Sequence, residues 1–369
     1  MRLAVPTEIR DGEKRVALVP DIINKLTRLG LEVSIQSGAG LNAQASDAAF
    51  EAAGATIVTG DVLKDADVVL SVSPLTPQQI GTLKRGAVTI SFLSPTTAKD
   101  SIDAAVAAGV TAFSLELVPR ISRAQSMDAL TSQALCAGYR AAIVGAELSP
   151  RFFPLLMTAA GTITPAQVVV LGAGVAGLQA IATARRLGAV VSAYDVRPSS
   201  ADEVKSMGAT FINLELESLE GTGGYAREMT EERAEKQRDL LTPYIARAHV
   251  LITTAAVPGR TAPRLVTQKM IDAMSPGAVI IDLAAETGGN VEGSKPGETI
   301  INSNGVLIWG GKDVPSQLPF HASMLFSRNV VNLLSLMTKE GIVAPDFDDE
   351  IIAGSVVAHN GERKEAIKK

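Results

Sequence analysis

The sequence GAGVAG at residues 172–177 has the glycine spacing of a phosphate-binding turn. In such a turn the first glycine permits a tight bend, the second lets the backbone approach a pyrophosphate, and the third lets a helix pack closely against a strand. The start of the following helix offers N–H groups and a positive dipole end, which favour an anion. The alternative is a glycine-rich turn of structural use only. We favour a bound dinucleotide, held by Gly172, Gly174, Val175, Ala176 and Gly177.

An acidic residue follows this turn at the distance that ribose recognition requires. Asp195 lies 18 residues beyond Gly177, where a carboxylate can accept hydrogen bonds from the adenosine ribose hydroxyls. A carboxylate there repels a 2′-phosphate, so we expect NAD(H) as the cofactor in preference to NADP(H). Arg197 leaves this choice open, because an arginine at that place can accept the phosphate.

The elements that position these residues can be inferred from hydrophobic patterning. An apolar run at 168–171 predicts a buried strand, the small and apolar residues up to 187 predict a helix, and 190–194 predicts a second strand, which Asp195 closes. Outside this segment, strand and helix patterns alternate at intervals of roughly 20 residues, which indicates parallel crossover units. Strands at 249–253, 278–281 and 306–309 should complete a parallel sheet beside the glycine turn.

We therefore predict an α/β fold with two Rossmann-like, doubly wound parallel-sheet domains and a cofactor cleft between them. The first domain comprises residues 1–137 and 313–369 and is flavodoxin- or Rossmann-like without a phosphate turn. The second comprises residues 138–312 and is the NAD(H)-binding domain. A core of Ala, Val, Leu and Ile fits this class, because 46% of the residues are hydrophobic and only 4% aromatic.

Composition narrows the classes of partner and compartment. The net charge of −5 argues against nucleic acid as a partner. A single cysteine excludes an internal disulfide and fits a reducing, cytoplasmic compartment. No apolar window approaches the length of a membrane span, so we expect no direct membrane insertion, and no signal peptide precedes the first strand. We expect no metal site.

Polar residues also collect outside the glycine turn. The loop at 119–132 holds Arg120, Gln125, Asp128 and Thr131, and it is either a ligand site or a solvated loop with a helix cap. The stretch 217–239, with glycines around Tyr225, is either a lid or a surface loop.

Two further loops follow strands of the predicted glycine-turn sheet. Thr254 and Ala255 come after one strand, and Glu286 follows another. Carboxyl ends of parallel strands meet at one edge of a sheet, so these loops should face the cofactor. Glu286 either faces the cleft or is a structural acid.

Several blocks of this sequence resemble one family. The blocks RVALVPD (15–21), PRISRAQSMDALTSQA (119–134), YDVR (194–197), GTGGYAREM (221–229), VPGRTAPRLV (257–266) and IDLAAETGGNVE (281–292) are similar to the NAD(H)-binding soluble alpha subunit, domain I, of proton-translocating NAD(P) transhydrogenase. The similarity covers nearly the whole chain. It implies direct hydride transfer (NADPH + NAD+ = NADP+ + NADH, Si-specific/Re-specific type) between NAD(H) here and NADP(H) on a partner, coupled to proton movement across a membrane. It further implies a homodimer, active only with membrane-spanning and NADP(H)-binding subunits, and peripheral at the inner face of the plasma membrane.

The resemblance also implies roles for individual residues. In the 119–134 block, Gln125 and Arg120 orient the nicotinamide ring or its ribose, Asp128 braces Arg120, and Thr131 belongs to the same polar loop. The remaining implied contacts are on the adenosine side for Asp195, Val196 and Arg197, from a mobile loop for Tyr225, and along the crevice for Thr254 and Ala255.

Alanine dehydrogenase shares this fold and is the main alternative. In that family a lysine ends one strand of the first domain and a histidine ends the next, and amino-acid oxidation needs such acid–base groups. The matching strand ends here read SVSP (71–74) and FLSP (92–95) and contain neither. A third interpretation is a non-catalytic NADH-binding module.

Overall fold

The computed structural model describes residues 1–214, 216, 230–256 and 260–364. The chain divides into two compact units. The first contains Met1–Gln133 and Pro315–Lys369, and the second contains Ala134–Val314.

Helices and strands alternate along most of the chain. In the described residues the helices are α1 Pro20–Arg28, α2 Asp47–Ala52, α3 Pro77–Gly81, α4 Lys99–Ala108, α5 Ala129–Leu148, α6 Val175–Arg186, α7 Ser200–Ser206, α8 Glu231–Ala246, α9 Gln268–Asp272, α10 Pro319–Leu336 and α11 Glu350–Ser355. The strands are β1 Arg2–Val5, β2 Glu32–Gln36, β3 Thr56–Val58, β4 Val68–Leu70, β5 Val88–Ser91, β6 Thr111–Ser114, β7 Leu156–Thr158, β8 Gly161–Ile163, β9 Gln167–Leu171, β10 Val190–Tyr194, β11 Thr210–Phe211, β12 Val250–Thr253, β13 Val279–Asp282, β14 Thr299–Ile301, β15 Leu307–Gly310, β16 Thr338–Lys339, β17 Ile342–Val343, β18 Val356–His359 and β19 Glu362–Arg363.

The first unit is built on a sheet in the order β19-β18-β6-β5-β4-β1-β2-β3. The strands from β6 to β3 are parallel, and β18 and β19 add an antiparallel edge. Leu3, Leu70 and Ile90 are fully buried in these strands, as expected where helices cover both faces of a sheet. The chain winds outward from β1 to β3 and then returns to β4, so the strand order reverses between β1 and β4.

The second unit is built on a sheet in the order β11-β10-β9-β12-β13-β15-β14. All its pairings are parallel except that of β14, an antiparallel edge strand that the sequence analysis did not predict. The reversal of strand order lies between β9 and β12, and in such sheets ligands bind beyond the carboxyl ends of the strands at this point. The predicted α/β class with doubly wound parallel sheets is confirmed.

Helix α5 differs from its prediction. The sequence pattern placed a connecting helix at 134–148, but α5 begins at Ala129. The carboxylate of Asp128 accepts a hydrogen bond from the backbone N–H of Thr131 at 2.9 Å, which caps the first turn. Two residues of the predicted polar loop are therefore part of a helix start.

Candidate nucleotide-binding site

The glycine turn follows β9 and is closed by contacts that leave no room for side chains. Gly172 has a φ of 101°, and a Cβ there would lie 2.5 Å from Oγ1 of Thr254. A Cβ on Gly177 would lie 1.9 Å from the carbonyl oxygen of Gly172. Both positions therefore require glycine, one for its backbone conformation and both for close packing.

The second glycine of the motif opens outward instead. Gly174 is the N-cap residue of α6, it makes no side-chain cap bond, and a Cβ placed on it would have nothing within 4 Å. The next residue, Val175, is 37% exposed at the first position of the helix. The first backbone N–H groups of α6 thus border open space that an anion can approach. This arrangement fits the pyrophosphate of a dinucleotide.

Helix α5 lies against the first turn of α6 within the second unit. A Cβ on Gly138 would lie 2.0 Å from the carbonyl oxygen of Ala176, and one on Gly145 would lie 2.9 Å from Val250. The sequence analysis did not single out Gly138. Its signal was the recurrence of small residues at helical spacing, at Ala134, Gly138, Ala141, Ala142 and Gly145.

Asp195, at the end of β10, contacts the glycine turn directly. Its Oδ2 accepts the backbone N–H of Ala173 at 2.7 Å, and the N–H of Gly172 bonds the carbonyl of Tyr194 at 2.8 Å. The carboxylate also receives the guanidinium of Arg197. Val196, between them, packs against the apolar core on that face of the sheet.

The loop after β12 completes the edge of the site. The backbone N–H of Thr254 bonds the carbonyl of Leu171 at 2.9 Å, and its hydroxyl bonds the carbonyl of Gly172 at 3.1 Å. The structure thus brings the glycine turn, Asp195 and Thr254 to one sheet edge, at the reversal of strand order.

Asn290 fixes this loop and was missed by the sequence analysis. Its side chain is fully buried, its Nδ2 donates to the carbonyls of Ala255 and Pro263, both at 2.8 Å, and its Oδ1 accepts the N–H of Ala255 at 3.0 Å. Three bonds to residues about 30 positions away hold the loop at both ends. Nothing in the local sequence distinguishes this asparagine from a turn residue.

The buried carboxylate of Asp282 supports Asn290 from below. It accepts hydrogen bonds from the hydroxyl of Thr253 at 3.1 Å and from the backbone N–H groups of Ala284, Asn290 and Val291 at 3.0 to 3.3 Å. With no exposed surface, this acid is satisfied by fixed donors. Asp282 is therefore structural.

Glu286 lies on a single turn of 3₁₀ helix after β13 and is exposed. One of its oxygens accepts the backbone N–H of Asp313 at 3.0 Å. This contact ties two loops of the second unit together, which supports a structural role for Glu286.

The polar loop at 119–132 belongs to the first unit. Gln125 is exposed on a 3₁₀ helix, Ser122–Met127, and Arg120 is exposed just before it. Both oxygens of Asp128 bind Thr131, one at the N–H and one at the hydroxyl, 2.7 Å away. Tyr225 lies outside the described residues.

The strand ends of the first unit hold a buried ion pair. Arg15 donates to both oxygens of Glu13 at 2.7 Å and to Gln133 at 2.9 Å, and Ser316 donates to the same acid at 2.7 Å. Burial raises the pKa of Glu13, but the hydrogen bonds and charge of Arg15 outweigh it and lower the pKa to about 2. Glu13 is thus ionised and committed to structure.

A second acid, Glu8, spans the reversal between β1 and β4. Its oxygens accept the backbone N–H groups of Val72 and Ser73, at 2.5 and 3.1 Å. Burial raises its pKa to about 7, and the two N–H bonds oppose that shift. The hydroxyl of Ser73 accepts from Arg10 at 3.2 Å. At the next strand end, Ser94 is bound through its N–H and hydroxyl to Glu116.

Comparison with known proteins assigns both units to one family. Residues 4–137 match the family model described as alanine dehydrogenase/PNT, N-terminal domain, and residues 141–365 match alanine dehydrogenase/PNT, C-terminal domain. The chain is 45% identical to the first of the separate chains that form the NAD(P) transhydrogenase subunit alpha of Rhodospirillum rubrum, over 98% of this chain and 97% of that protein.

Two further similarities mark both branches of that family. A crystal structure of transhydrogenase from Sinorhizobium meliloti superposes with a TM-score of 0.87 and 41% identity, covering 98% of each chain. The alanine dehydrogenase of Mycolicibacterium smegmatis is 30% identical over all of this chain and 96% of that one. Within the described residues, no helix combines the length and apolarity needed to cross a membrane.

Proposed function

Because the chain belongs to the alanine dehydrogenase/PNT family in both its N-terminal and C-terminal domains, we propose that it is the NAD(H)-binding component of a proton-translocating NAD(P) transhydrogenase. In this function a hydride passes directly between NAD(H) on this chain and NADP(H) on a partner subunit, coupled to proton movement across a membrane. The reaction is of the Si-specific/Re-specific type, and the chain is active only with its partners.

The strand ends of the first unit carry this choice between the two branches of the family. Alanine oxidation needs a base and a carboxylate-binding cation there, whereas Ser73 and Ser94 are the residues present, and both are hydrogen-bonded to neighbouring side chains. Glu8 has the pKa of a base, but both its oxygens bind backbone N–H groups. Hydride transfer between two nicotinamide rings moves no proton at the reacting carbons, so it depends on placement of the rings.

The glycine turn of the second unit would hold the cofactor. The exposed N–H groups beginning with Gly174 and Val175 would bind the pyrophosphate, and Asp195 would bind the adenosine ribose. Thr254 and Ala255 would line the same edge. When bound, NADH supplies the hydride, and this chain's task is to bind and orient it.

The polar loop of the first unit would position the reacting ring. We assign Gln125 and Arg120 to the nicotinamide ring or its ribose, because both are exposed on a short, well-anchored 3₁₀ segment. Asp128 and Thr131 hold the end of that segment by capping α5. Tyr225 is proposed to close over the nucleotide.

The proposed partners follow from this function. They are the membrane-spanning and NADP(H)-binding subunits, with a second copy of this chain completing a homodimer. The complex would place this chain in the cytoplasm, at the inner face of the plasma membrane.

The direct test is hydride transfer from an NADPH-loaded partner subunit to a coloured NAD+ analogue, followed by the absorbance of the reduced analogue. Transfer should require both proteins. Silence in the mixture, with NADH still bound by the chain, would make it a non-catalytic module. Reduction of NAD+ by the chain and L-alanine alone would make it an alanine dehydrogenase. Either result contradicts the proposal.

Gln125→Asn tests the assigned ring-positioning role. Shortening this side chain by one methylene should slow transfer by about tenfold while NADH affinity changes little, because positioning contributes to rate more than to binding. Gln78→Asn, at an exposed helix position of the same unit, is the matched control and should change neither. Loss of affinity at an unchanged rate per bound nucleotide would contradict the assigned role.

A further inference from the structure

Asp195 and Arg197 form a closed ion pair at the end of β10. The Nε of Arg197 donates to Oδ1 at 2.8 Å and its terminal nitrogen donates to Oδ2 at 3.0 Å, so the guanidinium grips both oxygens. The pair is largely shielded, with 8% of the Asp195 side chain and 18% of the Arg197 side chain exposed. This two-pronged geometry is the strong form of an arginine–carboxylate contact.

The remaining acceptor positions of Asp195 are also filled. Oδ1 accepts the backbone N–H of Arg197 at 2.9 Å, and Oδ2 accepts the backbone N–H of Ala173 at 2.7 Å. A carboxylate has about four acceptor positions. Two are occupied by fixed backbone donors and two by the mobile guanidinium. A ribose hydroxyl can therefore bind Asp195 only where the guanidinium yields its place.

The pair also changes the electrostatic basis for choosing a nucleotide. A lone carboxylate at this strand end repels a 2′-phosphate, but here its charge is neutralised by Arg197 at hydrogen-bonding distance. A guanidinium released from Asp195 would present a phosphate-binding fork at the adenosine side of the site. Selectivity thus depends on whether Arg197 stays bound to the acid.

We propose that Arg197 is a specificity-determining residue, and that Asp195 excludes NADP(H) chiefly by holding the Arg197 guanidinium away from the 2′-phosphate. The two residues form a masked phosphate site beside the glycine turn. This inference rests on the proposed NAD(H) function and adds to it how the second nucleotide is kept out.

Asp195→Asn separates this mechanism from simple charge repulsion. Asparagine keeps an oxygen for the N–H of Ala173 but offers an amide that cannot accept the guanidinium fork, so Arg197 is freed. NADPH affinity, measured by titration calorimetry, should rise about tenfold or more, the range of a charge-assisted contact. In Asp195→Asn/Arg197→Ala this gain should vanish, and Asp195→Asn/Arg197→Lys should keep part of it.

Simple repulsion predicts a different result for the double variant. If Asp195 acts only through its charge, Asp195→Asn and Asp195→Asn/Arg197→Ala will gain the same NADPH affinity, and the inference fails. Arg247→Ala is the control for a lost positive charge, because its guanidinium bonds the backbone carbonyl of Pro243 on α8. Asp195→Asn/Arg247→Ala should keep the full gain.

The calorimetric series also separates this inference from the proposed function. Wild-type protein that binds NADH while the Asp195→Asn/Arg197→Ala variant keeps its NADPH gain overturns the inference alone. Wild-type protein that binds neither nucleotide overturns both. Circular dichroism of each variant checks that it is folded, and Asp195→Asn/Arg197→Lys retains a cation at this position if the alanine variant does not fold.

Discussion

Replacing Asn290 with alanine should weaken both the fold and nucleotide binding. The substitution removes two bonds from Nδ2, to the carbonyls of Ala255 and Pro263, and one accepted from the N–H of Ala255. These two residues flank the loop after β12, whose first residue, Thr254, contacts the glycine turn. Without the amide, the loop must be ordered when the nucleotide binds.

The size of the effect can be worked from these three contacts. A net contribution of about 1 kcal/mol for each hydrogen bond predicts a loss of about 3 kcal/mol in the free energy of unfolding. Asn290 is fully buried, so the stranded groups of Ala255 and Pro263 find no water as a ready substitute. About 1.4 kcal/mol of that ordering, transferred to the binding step, would weaken NADH binding tenfold.

The assay pairs urea denaturation with calorimetric titration of NADH. Asn304→Ala is the matched control, because that amide also bonds two backbone carbonyls of the second unit, of Asp272 at 3.1 Å and Met274 at 2.8 Å. The control should lose about 1–2 kcal/mol of stability and keep its NADH affinity. Equal affinities for the two variants would refute the reasoning.

Three other substitutions test the site and its support. Gly177→Ala places a Cβ 1.9 Å from the carbonyl of Gly172 and should lower NADH affinity by at least about tenfold in calorimetry; unchanged affinity would contradict the close packing. Arg15→Ala leaves the buried carboxylate of Glu13 unpaired, so urea unfolding should show a loss of about 3–5 kcal/mol, and a loss below about 1 kcal/mol would argue against the pair. Glu8 has its pKa raised from 4.5 to about 7 in the fold, so its stabilising effect is complete below 4.5 and is lost as pH rises through 7. Thermal unfolding should therefore show wild-type stability falling between pH 5 and 8 relative to Glu8→Gln, and parallel profiles would exclude this role.

The glycine turn and its flanking elements could be predicted from the sequence. The apolar runs that became β9, β10, β12, β13 and β15 are strong local signals, because a strand buried on both faces needs an uninterrupted apolar stretch. The spacing of Gly172, Gly174 and Gly177 is equally local, since one backbone geometry requires all three. The same local logic identified Asp195 as the acid that ends the next strand.

The tertiary structure alone decided what those residues contact. Asn290 holds Ala255 from 35 positions away, and Gly138 meets Ala176 between two helices; neither pairing leaves a trace in the spacing of the residues. The capture of Asp195 by Arg197 is close in sequence, but it depends on the direction in which one side chain turns. Periodicity shows which face of an element is buried, whereas a contact depends on where folding brings two distant segments together.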